Sequence, residues 1–213
     1  SVVTLATALR DGRHSVRIAY AMEGLDTHPE FWGFVLDNEC DILRPTALPD
    51  RRIEFIGNSI TCAYGVESTE KTAPFEYATE NHFYSYATRV SDALGAIHTS
   101  ISRSGIGVYR NYGDVRTGSR DCMPQEFRNT LFADSTRHWD YSRWQPDVVC
   151  INLGTNDFST DNYDASLYEQ AYRKFLSQVR GFYPKAKIIL LSGPMLGEKE
   201  NSIEKAVLDK LQK

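Results

Sequence analysis

Ser59, Gly105 and Asn156 are the residues of this 213-residue chain whose types and surroundings suit them to chemistry. Ser59 lies in "IEFIGNSITCAYG" (residues 53–65), between an apolar run that reads as a buried strand and a second that reads as the first turns of a helix. A serine at such a junction is either a nucleophile or a helix cap. "SISRSGIG" follows another apolar run and places Gly105 and Gly107 where the lack of a side chain lets backbone N–H groups approach a ligand closely. "NLGTNDF" follows a third run and presents Asn156 and Asp157 on a loop. Ester hydrolysis needs a hydroxyl nucleophile, a base, and donors aimed at the oxygen that turns negative in the tetrahedral intermediate. Ser59 Oγ offers the first, while Ser59 N–H, Gly105 N–H and the Asn156 carboxamide offer the donors. Gly107 is the alternative donor, with Gly105 then a plain turn glycine. Asn156 has the alternative role of ordering its loop, and Asp157 reads as a helix cap or structural acceptor rather than a catalytic acid.

The elements that must position these groups follow from periodicity. Four apolar runs, "RIEFIG", "AIHTSIS", "DVVCINLG" and "AKIILLSG", read as buried strands and are separated by helical stretches. One helix is expected over "NHFYSYATRVSDALG", stopping at Gly95. Another is expected over "SLYEQAYRKFLSQVRGFY", with Leu167, Ala171, Phe175 and Val179 on its buried face. Strand-helix alternation of this kind predicts an α/β fold with a flavodoxin-like, doubly wound parallel sheet over residues 48–213. Catalytic groups in such sheets gather outside the carboxyl ends of the strands, where Ser59, Gly105 and Asn156 all fall. Residues 1–47 alternate differently. "VVTLATAL", "HSVRIAYAM" and "EFWGFVLD" read as half-buried strands of an accessory β-sandwich, joined to the second domain by the linker "PTALPD".

Hydrophobic residues make up 41% of the chain and charged ones 24%, which excludes a disordered or fibrous class. With 24 basic against 28 acidic residues, no nucleic-acid partner and no polybasic membrane surface is expected. No apolar run approaches the ~18 residues that span a bilayer, so no membrane partner is expected. Cys40, Cys62, Cys122 and Cys150 are widely spaced without a C-x-x-C pair, so neither a zinc site nor a disulfide framework is indicated, and Cys150 reads as a buried thiol. "RTGSRD" (116–121) reads as a polar loop and not a phosphate cradle.

"GNSI" (57–60), "SGIG" (104–107) and "GTND" (154–157) resemble three of the four sequence blocks of the SGNH/GDSL hydrolases. More narrowly, "RRIEFIGNSITCAYG", "SGIGVYRNYG", "WDYSRWQPDVVCINLGTNDFS" and "SGPML" resemble the acetyl esterases of carbohydrate esterase family 2, a likeness running from about residue 31 to the C-terminus. The resemblance implies a β-sandwich (jelly-roll) domain before the hydrolase domain and removal of acetyl groups from plant polysaccharides such as xylan. It also implies an acetylated polysaccharide or oligosaccharide as partner, no cofactor or metal, and a secreted or periplasmic location. Asn58 stands where the family's commonest first block has aspartate, a position that is neither nucleophile nor base.

The fourth block of that family is a histidine in a D-x-x-H-type segment after a fifth strand, and neither is found before Lys213. "IILL" (188–191) reads as a strand buried on both faces that needs a further neighbour. The expectation is therefore a chain incomplete at its end and impaired as an esterase. The alternatives are an inactive carbohydrate-binding domain or a fragment without function. Of the five histidines, His14 and His98 read as packing or surface residues, and His82 or His138 are the candidates for a substitute base. Tyr109, Trp139, Trp144 and Phe158 fall near the site loops and are candidates to offer aromatic faces to sugar rings, Trp139 and Tyr109 first, with core burial the alternative for each and above all for Trp144.

Overall fold

A computed structural model of the chain describes residues 2–24, 29–44 and 46–212. Four strands form one parallel sheet. They enter in the order β1 (Arg52–Gly57), β2 (Ile97–Ser102), β3 (Val148–Asn152) and β4 (Lys187–Leu190), and lie side by side as β2-β1-β3-β4. Parallel neighbours need crossover connections, and the chain supplies them as helices. Helix α1 (Ser59–Cys62) and helix α2 (Tyr86–Leu94) lie between β1 and β2, and helix α3 (Met123–Glu126) lies between β2 and β3. Helix α4 (Ala165–Phe182) links β3 to β4, and helix α5 (Glu198–Leu211) follows β4.

Alternation along β1 divides the core between the two faces of the sheet. Ile53 and Phe55 point to one face, with Cys150 of β3 and Ala87 of α2. Ile56, Val149 and Ile151 point to the other, where α4 and α5 cover them. Glu54 shares that second face and is only 2% exposed. Its Oε2 accepts hydrogen bonds from Tyr183 Oη (2.9 Å) and Thr99 Oγ1 (3.2 Å), and burial pushes its carboxyl up to about 7.

Two expectations change. The buried stripe of α4 is Tyr168, Tyr172, Phe175 and Val179, while Leu167 and Ala171 are only partly buried beside it. The Tyr168 hydroxyl donates to the Leu153 carbonyl at 3.0 Å, while the buried Tyr172 hydroxyl has no hydrogen-bond partner among the described residues. The second change is at β4, which forms one edge of the sheet with Ile189 39% exposed, so "IILL" is not covered on both faces. Among the described residues before Arg52 there is no strand, and almost all of them are exposed. Alternating residues specify two faces of a strand but not the neighbouring strands that must satisfy its backbone groups. Pro45 of the expected linker lies outside the described residues, as does His28 of the segment before it. This N-terminal segment docks on the sheet domain at one place: His82 N donates to the Ala21 carbonyl (2.8 Å), and Ser104 N to Glu23 Oε2 (2.6 Å).

Candidate active site

The carboxyl end of β1 turns at Gly57, where a Cβ would lie 2.0 Å from Thr61 Oγ1 and 3.1 Å from the Asn152 carbonyl oxygen. Only glycine lets the strand pass that close to the helix it enters. Asn58 follows in extended conformation. Its Oδ1 accepts from Ile60 N (3.1 Å), and its carbonyl accepts from Thr61 N (2.9 Å) and Cys62 N (3.0 Å). Asn58 is thus the cap of α1, and Ser59 is the first helical residue. The capping role that could have explained Ser59 belongs to its neighbour, and no described residue hydrogen-bonds the Ser59 hydroxyl.

Strand register brings the other two loops to the same rim. Gly57 lies opposite Ser102 of β2 on one side and Asn152 of β3 on the other, so residues 103–111 and 153–160 leave the sheet flanking the Ser59 turn. Gly105 has φ +78, a conformation glycine adopts freely, and its surroundings are open. Gly107 is different. Its N–H already donates to Asn111 Oδ1 (3.0 Å), and a Cβ there would lie 2.0 Å from the Arg110 carbonyl oxygen. Gly107 is committed to packing, whereas no hydrogen bond among the described residues engages the Gly105 N–H.

Asn156 joins the third loop to the second: its Nδ2 donates to the Ile106 carbonyl at 2.7 Å. Asp157, fully buried, accepts from the backbone N–H groups of Val108 (3.0 Å), Tyr109 (2.8 Å) and Arg110 (3.1 Å). Burial pushes its carboxyl up to about 6, against the opposing pull of those amides. Asp157 is a structural acceptor, as expected from its type and place.

Two groups that shape the site are not evident from the motifs. Arg110 is fully buried and threads beneath the loops, with Nε donating to the Asp157 carbonyl (3.1 Å) and Nη1 to the carbonyls of Asn162 (2.7 Å) and Asp114 (2.9 Å). Glu204, on α5, is also fully buried. Its Oε2 accepts from Ser192 Oγ (2.5 Å), and its Oε1 lies where a side chain on Gly154 would have to go. Burial pushes Glu204 up to about 7. A glutamate on the same helical stripe as Val207 and Leu208 was the available signal, because charge on a buried stripe is rarely without a role.

The aromatic and histidine candidates separate. Tyr109 is 7% exposed within the main core, and its hydroxyl accepts from Asp164 N (2.7 Å) at the start of α4. The ring of Tyr109, a candidate for sugar stacking, is turned inward, and its hydroxyl serves an amide at a helix terminus. Phe158 is in the same core. Trp139 is half-buried and, with Trp144, Glu54 and Phe127, lines a cavity of about 220 Å³ beside β2, while the Arg143 guanidinium sits 5.4 Å from its ring. His82 has both ring nitrogens engaged: Nδ1 with the Thr61 carbonyl (3.2 Å), and Nε2 with His98 Nε2 (3.1 Å) and Ser100 Oγ (3.1 Å). Burial lowers the pKa of both imidazoles, which favours their neutral forms. His138 is exposed in a short bridge with Asn129, and His14 bonds the Arg10 carbonyl (2.8 Å). Among the described residues no histidine hydrogen-bonds Ser59.

Residues 55–212 match the model of the GDSL-like Lipase/Acylhydrolase family. The chain is 39% identical over 196 residues to the cellulase/esterase CelE of Acetivibrio thermocellus, covering 92% of this chain and 24% of that protein. It is 30% identical to an acetylxylan esterase / glucomannan deacetylase of Cellvibrio japonicus, covering 87% of this chain and 54% of that protein. Among solved structures, a family two carbohydrate esterase from Clostridium thermocellum in complex with cellohexaose superposes with a TM-score of 0.75 at 38% identity, covering 80% of this chain and 51% of that one. The chain spans about half the length of these relatives or less. No helix among the described residues is long and apolar enough to cross a membrane.

Proposed function

The chain belongs to the GDSL-like lipase/acylhydrolase family, and on that premise we propose that its rim is the nucleophile and oxyanion half of a serine esterase that removes O-acetyl groups from plant cell-wall polysaccharide. Ser59 attacks the acetyl carbonyl carbon. The carbonyl oxygen gains the electron pair and is held by Ser59 N–H, Gly105 N–H and the Asn156 carboxamide. Collapse expels the sugar hydroxyl, and water then releases acetate from the acyl-serine. The single observation that carries this reading is the capping of α1 by Asn58, which leaves the hydroxyl of Ser59 without a structural task. The scheme needs a base for the Ser59 proton, and among the described residues no imidazole hydrogen-bonds Ser59: His82 and His98 are engaged with each other and His138 is exposed. Without such a base the rim is impaired as an esterase.

The acetyl-esterase relatives and the cellohexaose-bound neighbour support acetylated polysaccharide as the substrate class, with Trp139 as the aromatic platform for it. A polymeric substrate of that kind is met outside the cell, so we place the protein in the secreted or periplasmic class. The residues before 48 are proposed as the end of an accessory β-sandwich. The same neighbour favours one second reading, in which the cleft holds polysaccharide without turning it over. Assaying an acetyl ester and acetylated xylan with the 213-residue chain, with a chain extended past Lys213, and with Ser59→Ala in each background separates the readings. Turnover in the extended chain that vanishes in Ser59→Ala supports the esterase. Calorimetric binding of xylo- or cello-oligosaccharides with no turnover in either length supports the binding module, and turnover indifferent to Ser59→Ala overturns the assignment.

A further inference from the structure

Behind the Ser59 turn, three side chains far apart in sequence converge: Glu23 from the docked N-terminal segment, Cys62 at the end of α1, and Glu80. One ligand-type atom from each lies within 4.8 Å of the others. Cys62 and Glu80 are both 3% exposed. Glu23 Oε2 accepts from Ser104 N (2.6 Å) and lies 3.9 Å from Cys62 Sγ, and Glu80 Oε1 accepts from Glu23 N (2.5 Å). Neither carboxyl forms an ion pair among the described residues. Two buried carboxyls in contact with no cation beside them are costly, because each loses its hydration and repels the other. Two further atoms are left without hydrogen-bond partners at this place, namely the buried Glu80 Oε2 and the buried hydroxyl of Ser104.

We propose that Glu23, Cys62 and Glu80 form a structural site for a borderline-soft divalent cation of the zinc type. Two carboxylate oxygens and one thiolate are a donor set that zinc accepts in four-coordinate geometry, and the sulfur disfavours magnesium and calcium, which take oxygen ligands. The otherwise unpartnered Glu80 Oε2 and Ser104 Oγ are available as a ligand oxygen and a fourth donor or water anchor. Binding displaces the Cys62 proton to solvent, and the metal–sulfur bond replaces the S–H bond. The ion would fasten the segment carrying Glu23 to two elements of the rim at once: α1, three residues after Ser59, and the loop that passes from Ser104 into Gly105.

Chelator-treated, reduced 213-residue protein titrated with Co²⁺ tests this. The expected result is one ion per chain, with the near-ultraviolet thiolate-to-cobalt absorption band and visible bands of four-coordinate cobalt, both abolished by added Zn²⁺. Cys62→Ser is expected to lose the thiolate band, and Glu80→Gln to weaken cobalt binding at least about tenfold. Circular dichroism of each variant guards against misfolding, and a band kept in Cys40→Ser, which removes the exposed thiol, supports the assignment even where Cys62→Ser fails to fold, while its loss there overturns it. No cobalt uptake, uptake without a thiolate band, or a band that persists in folded Cys62→Ser overturns the proposal.

Discussion

The Asn156 carboxamide donates to the Ile106 carbonyl at 2.7 Å and so joins the Asp157 carboxylate, which accepts from the amides of Val108, Tyr109 and Arg110, in holding the glycine loop after β2 to the loop after β3. The contact uses one N–H of the carboxamide, and the proposed oxyanion role falls to the other. Asn156 therefore has a positioning role that is observed and a donor role that is proposed. Asn156→Ala removes both. We expect kcat on acetyl esters to fall roughly 100- to 1000-fold in the extended chain, measured at saturating substrate. A loss of less than tenfold would remove Asn156 from the proposed oxyanion site.

The two glycines of "SGIG" predict opposite vulnerabilities. Gly107→Ala places a Cβ against the Arg110 carbonyl and Asp157, and the backbone cannot give without breaking the amide cluster on that carboxylate. We expect it to destabilise by more than ~3 kcal/mol. Gly105→Ala meets only Tyr112 Cβ, at an ordinary contact distance of 4.0 Å, and carries the conformational cost of its positive φ, about 1 to 2 kcal/mol. Urea denaturation of the two variants should show Gly107→Ala as clearly the worse, and the reverse order would mean that the packing around 107 is not as described.

Removing the cap of α1 is a local test of the Ser59 turn. Asn58→Ala loses the acceptor for Ile60 N and should cost about 0.5 to 2 kcal/mol in thermal or chemical unfolding. Ser59→Ala should be near neutral in the same measurement, because the Ser59 hydroxyl caps nothing. Equal destabilisation by the two would return the capping role to Ser59.

Glu54 gives the fold a pH dependence of definite sign. Its folded pKa, about 7, lies above the model-peptide value for glutamate, so the folded state holds the proton more tightly than the unfolded chain. The contribution of Glu54 to stability is fully present below about pH 4.5, declines as pH rises towards 7, and is gone above that, a change of up to ~3 kcal/mol. Glu54→Gln should remove this decline and make the protein more stable than the unmodified chain at pH 8. Glu204 contributes with the same sign, so the difference between the two proteins, and not the slope of either, is the quantity to compare. Parallel stability curves from pH 4 to 8 would show that Glu54 is not held protonated.

The residues themselves determined the sheet. β1 spans Arg52–Gly57 as the "RIEFIG" run predicts, and the positions of Ser59, Gly105 and Asn156 after their strands follow from strand-helix alternation, because period and glycine placement are local properties of the chain. What the residues could not decide is which local option tertiary contacts select. Asn58 and Ser59 are both able to cap α1, and the close packing of Gly57 on Thr61 fixes the turn in which Asn58 does so. Tyr109 could have faced a sugar, but the amide of Asp164, 55 residues away, draws its hydroxyl inward. Alternation before residue 48 could not form strands by itself, since a strand exists only with partners. Glu23, Cys62 and Glu80 have no spacing that marks them as a group, and only the docking of one segment against two others brings their charges together.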